Sequence, residues 1–220
     1  MILFDLDGTL VDTTDLILQS FAHAFDSHLP GRLPSRESLV ATFGRSLPET
    51  LDEIAAAEGV TDARAFGEAM LATYRDFQRL HHDVLIRPFP GVAEMLDALA
   101  GGGHDLGLVT SKMEGFARRG LRMFDLERYF ETAVFHDDTE RHKPDPAPLL
   151  LAAERAGRSP GEVIYVGDST HDIVAGRAAG MKTVAVLWGP FSRHVLEAER
   201  PDWIIERPEQ LLPLASHRSP

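Results

Sequence analysis

Cysteine is absent from this chain of 220 residues, which removes disulfides, thiolate metal sites and a cysteine nucleophile together. Basic residues are scarce beside acidic ones, 22 against 34, giving a formal charge of -12. That sign opposes a surface that tracks a phosphate backbone, so nucleic acid is not an expected partner. No apolar stretch approaches the ~18 residues that a membrane helix needs. The N-terminus has neither a basic segment ahead of an apolar one nor a small-residue cleavage site, and acids interrupt its short hydrophobic run. No membrane partner is expected, and a cytoplasmic setting is. Internal repeats and low-complexity tracts are also missing. With 44% hydrophobic and 25% charged residues, the composition is that of an ordinary folded protein. The length suits one large domain or one domain carrying an insertion.

What is there begins at once, with Ile2-Leu3-Phe4-Asp5-Leu6-Asp7-Gly8-Thr9. A short apolar run ending in a glycine reads as a buried parallel strand and the point where the chain leaves it. Asp5 and Asp7 then lie at a strand's carboxyl end, where open α/β sheets place their ligands. Residues two apart point the same way while strand pairing lasts, so the carboxylates are expected to be aimed together and to need a cation or a shared proton. A calcium loop is excluded by spacing: Thr9, Leu10 and Leu16 stand where it needs a ligand, a glycine and an acid.

Helical spacing follows, with stripes at Leu16, Ile17, Phe21 and Phe25, at Leu47, Leu51, Ile54 and Ala55, and at Phe66, Met70, Tyr74 and Phe77. This predicts an all-helical domain inserted after the first strand, over residues 13–86. Arg87-Pro88-Phe89-Pro90-Gly91 punctuates the return to a core made of 1–12 and 87–220. From there helix and strand alternate, which predicts a Rossmann-like, doubly wound parallel sheet. Strands are expected at Leu106 to Thr110, Ala133 to Phe135, Val163 to Val166, Thr183 to Leu187 and Trp203 to Ile205. Helices are expected at Val92 to Leu99, stopped by Gly101-Gly102-Gly103, and at Pro146 to Ala156, where Asp145 caps the start. The tail from Ser216 to Pro220 is expected to fray.

In a parallel sheet the other strand ends share the edge of Asp5 and Asp7. Val109-Thr110-Ser111-Lys112 brings two hydroxyls and a cation, and Gly167-Asp168-Ser169-Thr170-His171-Asp172 brings two more carboxylates. Arg141-His142-Lys143-Pro144-Asp145-Pro146 sets a lysine in a stiff turn. Taken singly these have plain alternatives: Thr110 and Ser111 as helix caps, Lys143 as a solvated lysine, Asp168 as a turn residue. Together they suit a hard divalent cation such as magnesium, with hydroxyls, amides and a lysine for phosphate oxygens.

The set resembles the haloacid dehalogenase superfamily of phosphohydrolases, in its phosphoglycolate phosphatase-like and pyrophosphatase-like branch. Asp5-Leu6-Asp7-Gly8-Thr9 matches the first motif, Thr110 the second, Lys143 the third and Gly167 to Asp172 the fourth, over nearly the whole chain. The helical insertion matches the family's cap domain. Phe135-His136-Asp137-Asp138 and Trp188-Gly189 are also similar to pyrophosphate-hydrolysing relatives.

The resemblance implies that Asp5 attacks phosphorus to form an aspartyl phosphate while Asp7 protonates the leaving oxygen and later activates water. It implies Mg2+ on Asp5, the Asp7 carbonyl and Asp168, with Asp172 behind them. Gly8, Thr110, Ser111 and Lys143 are expected to hold the phosphate of a small phosphorylated metabolite, and Arg45 to reach a second anionic group or else be solvated. A β-phosphoglucomutase-type phosphotransferase and a noncatalytic phospho-metabolite sensor are the alternatives. Asp172 favours the hydrolase over the first, and the retention of Asp5 and Asp7 over the second. His81 and His82 lack the companions of a metal site, and His171 is expected at the surface. Oligomeric state is left open.

Overall fold

The computed structural model describes residues 1–215, so the fraying expected of the tail lies outside the described residues. The opening run forms β1 (Ile2–Phe4), and a two-residue β2 (Val11–Asp12) follows. Four helices come next: α1 (Thr14–His28), α2 (Arg36–Val40), α3 (Leu47–Ala57) and α4 (Ala63–Leu85). A short β3 (Arg87–Pro88) then returns antiparallel to β2, tying the two ends of the helical insertion together. The remainder alternates through α5 (Val92–Gly101), β4 (Leu106–Val109), α6 (Glu114–Met123), β5 (Thr132–Val134), α7 (Ala147–Arg155) and β6 (Ile164–Gly167). It ends with α8 (Thr170–Ala178), β7 (Lys182–Val186), α9 (Arg193–Ala198), β8 (Trp203–Ile205) and α10 (Leu211–Ala215).

Six strands form one parallel sheet in the order β5-β4-β1-β6-β7-β8. The chain winds outward from β1 to β5, crosses back to β6 and winds outward the other way, so β1 and β6 flank the topological switch point. Alternation along β1 distributes its side chains between two apolar layers. Ile2 and Phe4 join Leu96, Leu108 and Leu121 on one face, while Leu3 joins Leu149, Ala152 and Tyr165 on the other. Burial of one such Leu or Phe stabilises by about 1.5–3 kcal/mol, which fixes the register of the strand that carries Asp5.

The helical insertion has its own apolar centre, built from Phe21, Phe25, Leu39, Leu51, Met70 and Tyr74. Asp62 caps α4 by accepting from the Ala65 amide at 3.1 Å. The expected α4 stripe holds at Met70 and Tyr74, and its next turn is Gln78, a buried polar residue bonded to the Tyr74 hydroxyl at 3.1 Å. Ahead of α7 the N-cap is Pro146 rather than the expected Asp145, which stands one residue earlier and accepts from the Ala147 amide at 2.8 Å. No helix among the described residues is long and apolar enough to cross a membrane.

Candidate active site

The acids meet at the switch point. Asp5 leaves β1 with its amide still donating to the Val166 carbonyl at 2.9 Å, which holds its buried carboxylate beside the end of β6. One Asp5 oxygen, Oδ1, accepts from Lys143 Nζ at 2.8 Å. The same ammonium donates to Asp172 Oδ1 at 2.7 Å and to the Tyr165 hydroxyl at 3.1 Å, so its three donors are all used. Asp172 is held in turn by Ser169, whose amide and hydroxyl reach Oδ2 at 3.0 and 2.5 Å. This is the capping box of α8, turned to hold a charge network.

Asp7 meets a different cation from Asp5. Pairing of β1 ends at Phe4, and the chain then closes tightly as the Leu10 and Val11 amides both donate to the Leu6 carbonyl, at 2.9 and 3.0 Å. Both carboxylates nevertheless line one cavity, and Asp7 adds to the upward push on Asp5. Asp5 lies with Asp168 and Asp172, whose ligand atoms all fall within 4.8 Å, while Asp7 takes its own lysine, Lys112 Nζ, at 2.7 Å. Two acids that would repel side by side are instead given separate cations.

Asp168 has no lysine of its own. Its Oδ1 accepts from the Thr9 hydroxyl at 3.0 Å, the one hydrogen bond its side chain makes among the described residues. Gly8, at φ +86°, and Gly189 both pack where a side chain would run into Asp168, so the chain keeps this space free. The Trp188 indole donates to the Thr9 carbonyl at 2.8 Å and fixes the loop beside it. Three buried carboxylates against one buried ammonium leave an unbalanced negative centre, and oxygen donors of this kind fit a hard divalent cation.

Burial raises Asp5 to about 7, because loss of water outweighs the opposing pull of Lys143. Asp168 is pushed well above the ordinary carboxylate range by burial, then by Asp172 and Asp5. Burial would also raise Asp172, but Lys143 and Ser169 hold it below its usual value. For Lys143 burial acts downward, and Asp172 and Asp5 reverse it and keep the ammonium charged. The site thus has one carboxylate that is firmly ionised and two that call for more positive charge.

Thr110 is buried just beyond β4, its amide donating to the Val134 carbonyl at 3.0 Å and its hydroxyl accepting from the Lys112 amide at 3.1 Å. Helix α6 starts only at Glu114, so neither Thr110 nor Ser111 caps it. Ser111 reaches the helical insertion instead, donating to the Gly44 carbonyl at 2.8 Å. A cavity lies between insertion and sheet edge, lined by Asp5, Asp7 and Lys112 below and by Phe43, Tyr74 and Arg75 above. Arg45 borders it too, but its guanidinium is engaged by Glu53 at 2.5 Å.

His171 is not a surface residue. It is half-buried where the fourth motif meets the 41–46 loop, beside Gly44. His82 is buried against Phe116 and pairs with Asp83 at 2.9 Å, and His81 packs on Phe77, so neither joins the acids. Sequence reasoning missed Tyr165, Ser169 and Thr9 as supports and Arg75 as a lining residue. A phenol inside an otherwise apolar buried strand was the one signal available for Tyr165, since its hydroxyl needs a partner there.

The parallel sheet, the switch-point acids and the buried lysine define a hydrolase of the haloacid dehalogenase type. The family model for haloacid dehalogenase-like hydrolases matches residues 2–186, and the chain belongs to that family. It is 39% identical over 211 residues to the pyrophosphatase PpaX of Bacillus velezensis, covering 96% of this chain and 94% of that one. PpaX of Bacillus mycoides is 38% identical over 215 residues, covering 98% and 96%. Among solved structures, a predicted phosphoglycolate phosphatase from Haemophilus somnus superposes with a TM-score of 0.84 at 26% identity, over 98% of this chain and 97% of that one. A hydrolase from Pseudomonas syringae gives the same TM-score and identity over 97% and 96%.

Proposed function

We propose that the protein is a magnesium-dependent phosphohydrolase of the cytoplasm that cleaves a small phosphorylated metabolite, pyrophosphate or a phosphoglycolate-like phosphomonoester, through an aspartyl phosphate. The observation that carries this reading is Asp5: a buried carboxylate at the head of the central strand, opening on the cavity and fixed through one oxygen by Lys143. Residues 13–86 act as the cap and residues 1–12 with 87–220 as the catalytic core. The names of the relatives support the substrate class.

In the first step an Asp5 oxygen bonds to phosphorus as the bond to the leaving oxygen breaks, and Asp7 gives that oxygen a proton. In the second, Asp7 takes a proton from water, the water oxygen bonds to phosphorus, and the phosphorus–Asp5 bond breaks to free the carboxylate. Thr110, the Ser111 amide and the Gly8 backbone hold the transferring group through both steps, and the Lys143 charge, fixed beside Asp5, attracts its oxygens. Asp5, the Asp7 carbonyl and Asp168 are the residues that would hold magnesium, while Asp172 keeps Lys143 in place. When bound, the cation neutralises phosphoryl oxygens and permits Asp5 to stay ionised. The cavity between cap and core keeps bulk water from the intermediate.

Phosphate release from pyrophosphate, phosphoglycolate and sugar phosphates, with and without magnesium, tests the reading. The expected result is turnover of at least one compound that Asp5→Asn or chelation reduces by about 10³-fold or more. Undiminished release after either change would refute it. Bisphosphate-dependent isomerisation with little release would identify a mutase, and ligand binding without turnover a sensor.

A further inference from the structure

Two cations face the cavity from outside the network described above. Lys112 follows Thr110 and Ser111, has a side chain 11% exposed, and spends one of its three donors on Asp7. No second partner for that ammonium exists among the described residues. Arg75 extends from α4, one residue after Tyr74, and is half-buried. It lines the same cavity and makes no ion pair or hydrogen bond with any described residue. In a chain of 34 acids and 22 basic residues, a half-buried guanidinium without a carboxylate is exceptional. Arg45, the other cap arginine at the cavity, is neutralised by Glu53.

A residue of the core lines the same cavity as Arg75. His136, which follows β5 in the core, lines the cavity and stacks on His142 with ring centroids 4.0 Å apart. Its imidazole is held below its ordinary value by burial, then by His142, with Arg75 adding to the effect. Arg75 and His136 thus line the cavity from the insertion and from the core. Ile17, Phe21, Leu47 and Phe116 supply apolar wall between these charges, and such a wall strengthens any ion pair formed there.

We propose that Arg75 and Lys112 form a receptor for a second anionic group, so that the favoured substrates carry a phosphate or carboxylate on the leaving group itself. This rests on the phosphohydrolase reading and adds to it the residues that select the substrate. Lys112 has donors left for that anion while it holds Asp7, so it brings the proton donor and the leaving group to one ammonium. Arg75 supplies the planar, paired donors that suit phosphate and carboxylate oxygens. Arg45 is not part of the receptor.

The test is made on the full chain with magnesium, using Arg75→Met, Lys112→Met and the double variant. The ratio of kcat/KM for pyrophosphate to that for p-nitrophenyl phosphate, whose leaving group has no second anion, is expected to fall about 10-fold or more in each single variant. The same ratio taken with phosphoglycolate separates a phosphate-reading receptor from a carboxylate-reading one. Arg75→Lys and Lys112→Arg are expected to keep most of the preference, which a general packing defect would not restore. An unchanged ratio in both methionine variants overturns the inference while leaving the phosphohydrolase intact. If the wild type turns over none of the compounds, that reading falls instead. Calorimetric titration with pyrophosphate then still decides the receptor, since Arg75→Met must weaken binding about 10-fold for it to stand.

Discussion

Lys143 and Lys112 lie along the same sheet edge, and each meets a carboxylate of the first motif, yet their surroundings differ. Around Lys143 every donor is matched: Asp5, Asp172 and Tyr165 take its three protons, and Ser169 holds Asp172 from behind. Around Lys112 and Arg75 donors are in surplus, and Glu53 stays with Arg45, the other arginine that lines the cavity. A saturated network fixes geometry, because any displacement leaves a buried charge without a partner. An unsaturated one attracts an anion from solution. The Lys143 side of the cavity is thus saturated, and the Lys112 and Arg75 side is not.

Lys143→Met would strike the saturated side hardest. With Asp5 and Asp172 left buried without their ammonium, unfolding free energy is expected to fall by about 3–5 kcal/mol in denaturant titrations, and turnover by at least about 10²-fold. A wild-type-like melting curve would mean that the network is not under the electrostatic tension described.

A smaller effect should come from pH on the cation-free protein. Asp5 rises from 3.8 to about 7 on folding, so the folded state keeps a proton that the unfolded chain has already lost. The stability tied to that proton is complete below the lower value and lost as pH climbs through the upper one. Thermal melts taken from about pH 6 to about pH 8 are expected to show a fall of a few degrees, absent in Asp5→Asn and reversed by magnesium. A flat profile would place the charge imbalance elsewhere.

The smallest change belongs to Arg45. Arg45→Ala removes a partly exposed pair, so stability should move by less than about 1 kcal/mol and kcat/KM by less than about 3-fold. A loss as large as that of Arg75→Met would erase the distinction between the two arginines.

The strand ends were readable because a parallel sheet brings them to one edge whatever their separation in the chain. Asp5, Thr110 and Asp168 follow β1, β4 and β6 directly, and an apolar run ending in polar residues is enough to find them. Lys143 was readable for its stiff, proline-bounded turn. Which cation each acid of the first motif takes was not, since nothing in the spacing pairs Asp5 with Lys143 and Asp7 with Lys112. Arg75 was hidden for a different reason. On α4 it sits among Arg79, Asp76 and other polar residues, and only the placement of the helix over the sheet edge separates it from a solvated face.

Gly44 joins the two halves in a further way. Its φ of +87° suits a residue without a side chain, and a Cβ there would press on Ser169 Oγ at 2.7 Å. That hydroxyl is the one gripping Asp172, which grips Lys143. The loop of the cap thus rests directly on the first member of a short relay ending at the lysine beside Asp5. A side chain added at position 44 would therefore bear on Asp5 by contact alone, through Ser169, Asp172 and Lys143.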